Sequence, residues 1–335
     1  MTRDEQETRQ DVKIASPIMW LLLLVVFVLI FLYRWHRQSL ILENLSDKYV
    51  FITGCDTGFG NLLAKQLDKR GMKVLAACLT NEGAENLKKE TSSRLQAIIL
   101  DVTDSKSVSA AAEKVAATVG SNGLWGLVNN AGYGFAMGPN EWQKKEDFLK
   151  VLNVNLIGMV DVTLHLLPLL RKAKGRIVNV SSIMGRLSYV GGGYCLSKFG
   201  VQAFSDSLRR ELCDFGVKVS IVEPGGFQTM MVLSTDGHVN NLKRLWGNLP
   251  TEIKEDYGKQ YYEQYENRLK SLLKTGSPKL YKVTNCMEHA LTAVHPWTRY
   301  SAGWDAKLFY IPVSYLPTVL SDYLLSRHAP KPAHK

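Results

Sequence analysis

A chain of 335 residues is long enough for one large α/β domain or two average ones. Its net charge of +10 comes from basic residues interleaved with acidic ones, the densest basic run (Leu170 to Arg176) reading as a solvated helix end. That pattern argues against nucleic acid as a partner and leaves anionic membrane lipid as the economical use of the excess charge. Five scattered cysteines without a C-x-x-C pair, and seven histidines without an i, i+4 pair, argue against a disulfide framework and against any metal site.

Residues 1–13 are polar and read as a disordered tail. Residues 14–33, IASPIMWLLLLVVFVLIFLY, carry no charge over twenty positions, enough to span a bilayer as a helix. Trp20, Tyr33 and Trp35 lie near its ends, where amphipathic aromatics favour the membrane interface. The run is long and is followed by RWHR rather than by a small-residue cleavage site, so an uncleaved signal anchor is expected. Flanking charges balance, Arg3, Arg9 and Lys13 against Arg34, Arg37 and Lys48, and leave the orientation open. Residues 34–48 read as a linker.

From residue 49 two periods alternate. KYVFIT, KVLAACL, LQAIILDV, LWGLVNNAG, GRIVNVSS and KVSIVEPGG are short apolar runs, with amphipathic helical stretches between most of them. Continuous apolar strands separated by helices predict an α/β fold, a doubly wound parallel sheet of Rossmann type forming one domain over residues 49–327. Residues 328–335 form a tail.

The first strand runs into TGCDTGFGNLLAK, which sets Gly54, Gly58 and Gly60 at a strand-to-helix turn. Glycines let the backbone approach a ligand, and the helix N-terminus offers N–H groups to a pyrophosphate. A 2′-phosphate would call for Arg or Lys in this loop or at the end of the second strand. The loop carries Cys55, Asp56 and Thr57 and the strand ends AACLTNEG, so NAD is expected rather than NADP. The acidic residue that would hold the ribose hydroxyls is also missing, with Cys78 and Leu79 near its place.

Further on, GGGYCLSK places Tyr194 and Lys198 at i and i+4, on one face of a helix predicted from about Tyr194 to Phe215. By itself the pair fits a helix start with a solvated lysine better, since such a spacing is common by chance.

Taken together, TGCDTGFG, LDVTD, LVNNAG, NVNLIG, IVNVSS, YCLSK and EPGGFQT resemble the short-chain dehydrogenase/reductase family, in the family's order over residues 49–229. Finer detail is similar to the branch of membrane-bound retinol dehydrogenases and type 6 17β-hydroxysteroid dehydrogenase. The resemblance implies that Tyr194 is the general acid/base and that Lys198 supplies a cation beside it and binds the nicotinamide ribose. Ser182 would hold the substrate oxygen, with Ser181 in reserve, and Asn155 would support a proton relay or simply kink its helix. For the cofactor it implies Gly54, Asp56, Thr57, Gly58, Phe59 and Gly60 in the loop. Asp101 and Val102 would lie beside the adenine, Asn129, Ala131 and Gly132 along its path, and Thr229 at the carboxamide and phosphate. Asn129 could instead brace the sheet, and Cys55 and Cys195 are expected to be small packing residues.

Residues 230–282 are rich in Trp, Tyr and Leu (Met230, Met231, Leu233, Trp246, Tyr257, Tyr261, Tyr262, Tyr265) and read either as an apolar substrate lid or as helices packed on the body. Residues 308–325, apolar but broken by Pro312, Pro317 and Asp322, suit a membrane surface or a docking site better than a second span. The implied activity is NAD-linked oxidoreduction of a hydrophobic alcohol, retinol or a 3α- or 17β-hydroxysteroid, at the endoplasmic reticulum membrane, in a monomer or a homodimer. The alternatives are a hydroxy-acid dehydrogenase and a catalytically silent NAD-binding scaffold.

Overall fold

The computed structural model describes residues 3–134, 137–229 and 235–333, with side chains from residue 19 onward. Two compact units are distinguished: residues 1–43 with 292–296, and residues 44–291 with 297–335.

The first unit is built on one long helix, α1 (Arg3–Ser39). Its stretch Met19–Ser39 has a mean hydropathy of 2.0 and no buried share, so it is long and apolar enough to cross a membrane. The helix also takes in residues 3–13 and 34–39, which the sequence reading treated as tail and as the start of a linker. Those flanks are rich in Glu, Gln, Arg and Lys, good helix formers that prolong a helix already nucleated by the apolar run.

The second unit alternates strands and helices as the periods predict. β1 (Tyr49–Thr53) leads to α2 (Gly58–Lys69), β2 (Lys73–Cys78) to α3 (Asn81–Lys89), β3 (Leu95–Ile99) to α4 (Ser105–Val119), and β4 (Gly126–Asn129) to α5 (Lys145–Leu152). A π-helical turn (Asn153–Ile157) joins α5 to α6 (Gly158–Ala173); β5 (Arg176–Val180), α7 (Gly193–Glu211) and β6 (Lys218–Pro224) follow. Among the described residues, four helices come next, Thr235–Gly247, Thr251–Tyr257, Lys259–Lys274 and Tyr281–Thr292, before β7 (Arg299–Ala302). All seven strands run parallel in the order β3-β2-β1-β4-β5-β6-β7.

Side chains alternate across the pleat, so β1 sends Val50 and Ile52 to one face and Phe51 to the other. On the first face they meet Leu63 and Leu67 of α2 and Met287 and Leu291 of the Tyr281–Thr292 helix. On the second face Phe51 joins Val115 of α4, Leu166 and Leu170 of α6, and Leu208 of α7. Burying each such side chain contributes roughly 1.5–3 kcal/mol, and with both faces covered the strands can be apolar throughout. This arrangement brings the C-terminal ends of all seven strands to one edge, where ligands bind in open α/β sheets.

β7 was not anticipated. RYSA is only four residues long, and its alternating burial carries no apolar run that periodicity would detect.

Candidate active site

A cavity of about 850 Å³ opens along that edge. Residues just past every strand line it: Gly54 after β1, Leu79 after β2, Asp101 after β3, Ala131 after β4, Ser182 after β5, Gly225 after β6 and Gly303 after β7. Gly54 sits at φ +70°, and a Cβ there would lie 2.8 Å from the Ala131 backbone, so only glycine permits the two loops to meet. Asn130 ties them, its Nδ2 donating to the Thr53 and Gly54 carbonyls at 2.9 and 3.0 Å.

Of the residues expected at the cofactor, Gly54, Asp56, Thr57, Gly58, Phe59, Asp101, Val102, Ala131, Gly132, Tyr194, Lys198 and Thr229 line the cavity. Two do not. Gly60 is buried in the first turn of α2, packed against the Gly54 carbonyl. Asn129 turns into the sheet, its Nδ2 donating to Thr163 Oγ1 at 2.9 Å and Asn179 Oδ1 at 2.8 Å, the bracing alternative. Its neighbour Asn130, one residue past the end of β4, lines the cavity instead.

α7 begins at Gly193 behind Gly192, whose φ of +96° turns the chain sharply into the helix. Tyr194 and Lys198 then lie one turn apart, with Lys198 Nζ 5.7 Å from the phenol ring centroid. The Ser182 side chain faces the Tyr194 hydroxyl and acts to lower its pKa. Ser182 Oγ also accepts the Met184 N–H at 3.1 Å, capping the short turn Ile183–Gly185. Ser181 points elsewhere, its hydroxyl donating to the Lys198 carbonyl at 3.1 Å.

The electrostatics depart from the expectation that the lysine lowers the tyrosine. Burial pushes the Tyr194 phenol up to about 12, with Ser182 acting in the opposite direction. Burial also pushes the Lys198 ammonium down to about 8. Its Nζ donates to the Val180 carbonyl at 2.9 Å, above the phenol's face and not at its oxygen.

Asn155 stands on the π-helical turn, behind the cavity wall rather than in it. Its Oδ1 accepts the Tyr133 N–H at 2.6 Å; its Nδ2 donates to the Tyr133 carbonyl at 2.9 Å and to Ser197 Oγ at 3.0 Å. Single π-turns inside α-helices recur at functional sites. Here the widened turn aims a buried amide at the residue next to Lys198. Cys55 and Cys195 are buried packing residues, as expected.

The aromatic residues expected in a lid behave differently. Trp246, Tyr257, Tyr261 and Tyr265 gather around buried Trp142, with ring centroids 5.0–6.0 Å from it. They form a hydrophobic cluster of their own, because rings at i, i+4 spacing on Lys259–Lys274 share one face. From that cluster Met137 and Leu273 reach the cavity wall, which Leu272, His238, Met184, Tyr189 and Tyr310 also line. Met230, Met231 and Leu233 lie outside the described residues.

A buried carboxylate that no local pattern signals braces the site from behind. Glu223 is fully buried and accepts Arg186 Nε at 2.5 Å, Arg186 Nη2 at 3.0 Å and Gln202 Nε2 at 2.6 Å. It joins the loop after Ser182, the helix of Lys198 and the strand before Pro224.

The short chain dehydrogenase family model matches residues 48–239. The chain belongs to that family. It is therefore an oxidoreductase, and the family's chemistry uses a nicotinamide cofactor. The chain is 58% identical to rat retinol dehydrogenase 7 and 57% identical to human 17-beta-hydroxysteroid dehydrogenase type 6, each over 94% of this chain and 99% of the relative. Among solved structures, a short-chain dehydrogenase from Streptomyces avermitilis has a TM-score of 0.66 at 26% identity, over 83% of this chain and 95% of its own.

The residues present fit a dinucleotide. The positive-φ Gly54 turn, the α2 N-terminus and the cavity passing both reach from the end of β3 to Tyr194.

Proposed function

We propose that this protein is an NAD-dependent alcohol dehydrogenase that interconverts a hydrophobic alcohol, retinol or a 3α- or 17β-hydroxysteroid, with its aldehyde or ketone. The observation that carries the reading is the meeting of Ser182, Tyr194 and Lys198 on a cavity walled by Met137, Met184, Leu272 and Leu273. The names of the close relatives support the substrate classes.

When bound, the cofactor supplies the hydride acceptor. Ser182 Oγ holds the alcohol oxygen, and Tyr194 Oη takes the hydroxyl proton. Lys198, raised one turn behind, favours the ionised phenol once its ammonium is turned from the Val180 carbonyl toward the ring's edge. Asn155 positions this end of α7 through Ser197. Gly54, Asp56, Thr57, Gly58, Phe59, Asp101, Val102, Ala131, Gly132 and Thr229 form the cofactor wall; Gly60 and Asn129 hold that wall in shape. The apolar walls keep water from the reacting carbon.

We place the chain in the endoplasmic reticulum membrane, with α1 as a single-pass anchor. Beyond α1, exposed Leu308, Tyr315, Val319 and Leu320 support lipid contact by the C-terminal segment. A hydroxy-acid dehydrogenase is disfavoured because no arginine is among the described residues lining the cavity, leaving a carboxylate without its bidentate partner. A silent scaffold has no use for the assembled serine, tyrosine and lysine.

The test is NADH formation by membranes carrying the protein, offered all-trans-retinol, a 3α-hydroxysteroid and a 17β-hydroxysteroid. Turnover of at least one is expected, and silence with all three while NADH still binds would refute the substrate reading.

A further inference from the structure

We propose that Asp56, reaching out of the glycine loop, is the carboxylate that selects NAD over NADP. The inference deepens the NAD reading above and rests on it. In dinucleotide folds the ribose hydroxyls are held by an acidic residue about twenty residues beyond the glycine loop, at the end of the second strand. That place is occupied here by Cys78, Leu79 and Thr80, none of them acidic.

The fold supplies the charge by another route. Asp56 Oδ2 accepts the Leu79 N–H at 2.8 Å; Oδ1 accepts the Thr80 N–H at 3.0 Å and the Thr80 hydroxyl at 2.7 Å. Thr80 Oγ1 in turn accepts the Gly83 N–H at 3.0 Å and caps α3. The carboxylate is thus fixed at the mouth of β2 although its Cα belongs to the loop after β1. Gly83 leaves it room, since a Cβ there would come within 2.5 Å of Oδ1.

Asp56, Leu79 and Thr80 line the same cavity. A carboxylate oxygen can take two hydrogen bonds, and Oδ2 is engaged by Leu79 alone among the bonds described, which leaves it an acceptor position for a ribose 2′-hydroxyl. A 2′-phosphate in that place would meet a fixed negative charge.

The cations of the cavity stand elsewhere. Lys198 belongs to the Tyr194 end. Lys282 opens the helix Tyr281–Thr292, and among the bonds described its ammonium makes none to Asp56, Leu79 or Thr80. The other carboxylate nearby, Asp101, turns its Oδ1 back to the Thr103 N–H and hydroxyl at 2.9 and 2.7 Å.

The experiment measures dissociation constants for NADH and NADPH on the detergent-solubilised full chain, from dihydronicotinamide fluorescence excited through tryptophan. The wild type is expected to bind NADH at least thirtyfold more tightly. Asp56→Asn keeps the shape and is expected to narrow that ratio at least tenfold, chiefly by strengthening NADPH binding. In the wild type the ratio is expected to fall as ionic strength rises, because the repulsion is screened. An unchanged ratio in Asp56→Asn that still binds NADH overturns the role of Asp56. Should the variant not fold, a wild-type ratio indifferent to salt overturns it as well. A wild type that prefers NADPH would instead refute the NAD reading itself.

Discussion

At the residue scale the two serines are separated by what each hydroxyl touches. Ser182 reaches the Tyr194 phenol, whereas Ser181 spends its proton on the Lys198 carbonyl. Ser182→Ala should therefore lower kcat by about 10²–10⁴. Ser181→Ala should cost less than about tenfold in kcat and act mainly on stability, through one buried hydrogen bond. Steady-state kinetics of the two variants beside thermal melts checks this, and equal kcat losses would contradict it. Lys198 carries a second prediction. Its folded value, about 8, lies below its ordinary 10.5, so between those values the unfolded chain holds a proton that the folded chain does not. Stability rises with pH wherever the unfolded state binds more protons. The cost of burying the cation is thus full below pH 8 and is relieved from there to about 10.5. Lys198→Met should be more stable than the wild type at pH 7, by roughly 1–3 kcal/mol, with the gap narrowing as pH rises through that window. Denaturant unfolding at several pH values measures it; a gap independent of pH would contradict the assignment.

At the element scale the strands and helices from β1 to β6 were legible because each is a continuous apolar run or a 3.6-residue period. What periodicity could not reach was what meets what across the chain. Asn129 and Asn130 are chemically alike in the sequence, and only the place where β4 ends, between them, separates the sheet brace from the cavity residue. The same holds for Asp56, a loop residue whose bonds run to Leu79 and Thr80 beyond the next strand, and for Glu223 with Arg186, 37 residues apart. Aromatic richness over residues 230–282 left open a substrate lid or helices packed on the body. Most pack on Trp142, which stands more than a hundred residues earlier. Trp142→Ala should cost roughly 3–5 kcal/mol. Because Met137 and Leu273 belong both to that cluster and to the cavity wall, the alcohol KM should rise while the NADH dissociation constant holds. An unchanged KM would separate the cluster from the site.

At the scale of the whole molecule the chain pairs an apolar helix with an oxidoreductase domain whose cavity has apolar walls. A substrate that partitions into lipid is then found where the enzyme is held. The span predicts that the full chain stays with membranes through an alkaline carbonate wash, and its release into the supernatant would contradict a transmembrane α1. In the proposed mechanism the reaction depends on one proton moving to one half-buried phenol. The decisive measurement is single-turnover NADH formation from the best alcohol by the wild type and by Tyr194→Phe, with NADH affinity measured on both. The account predicts a loss of about 10³-fold or more in the chemical step with the dissociation constant changed less than about threefold. A variant that turns over at near the wild-type rate would place the proton acceptor elsewhere and contradict the assignment of this site.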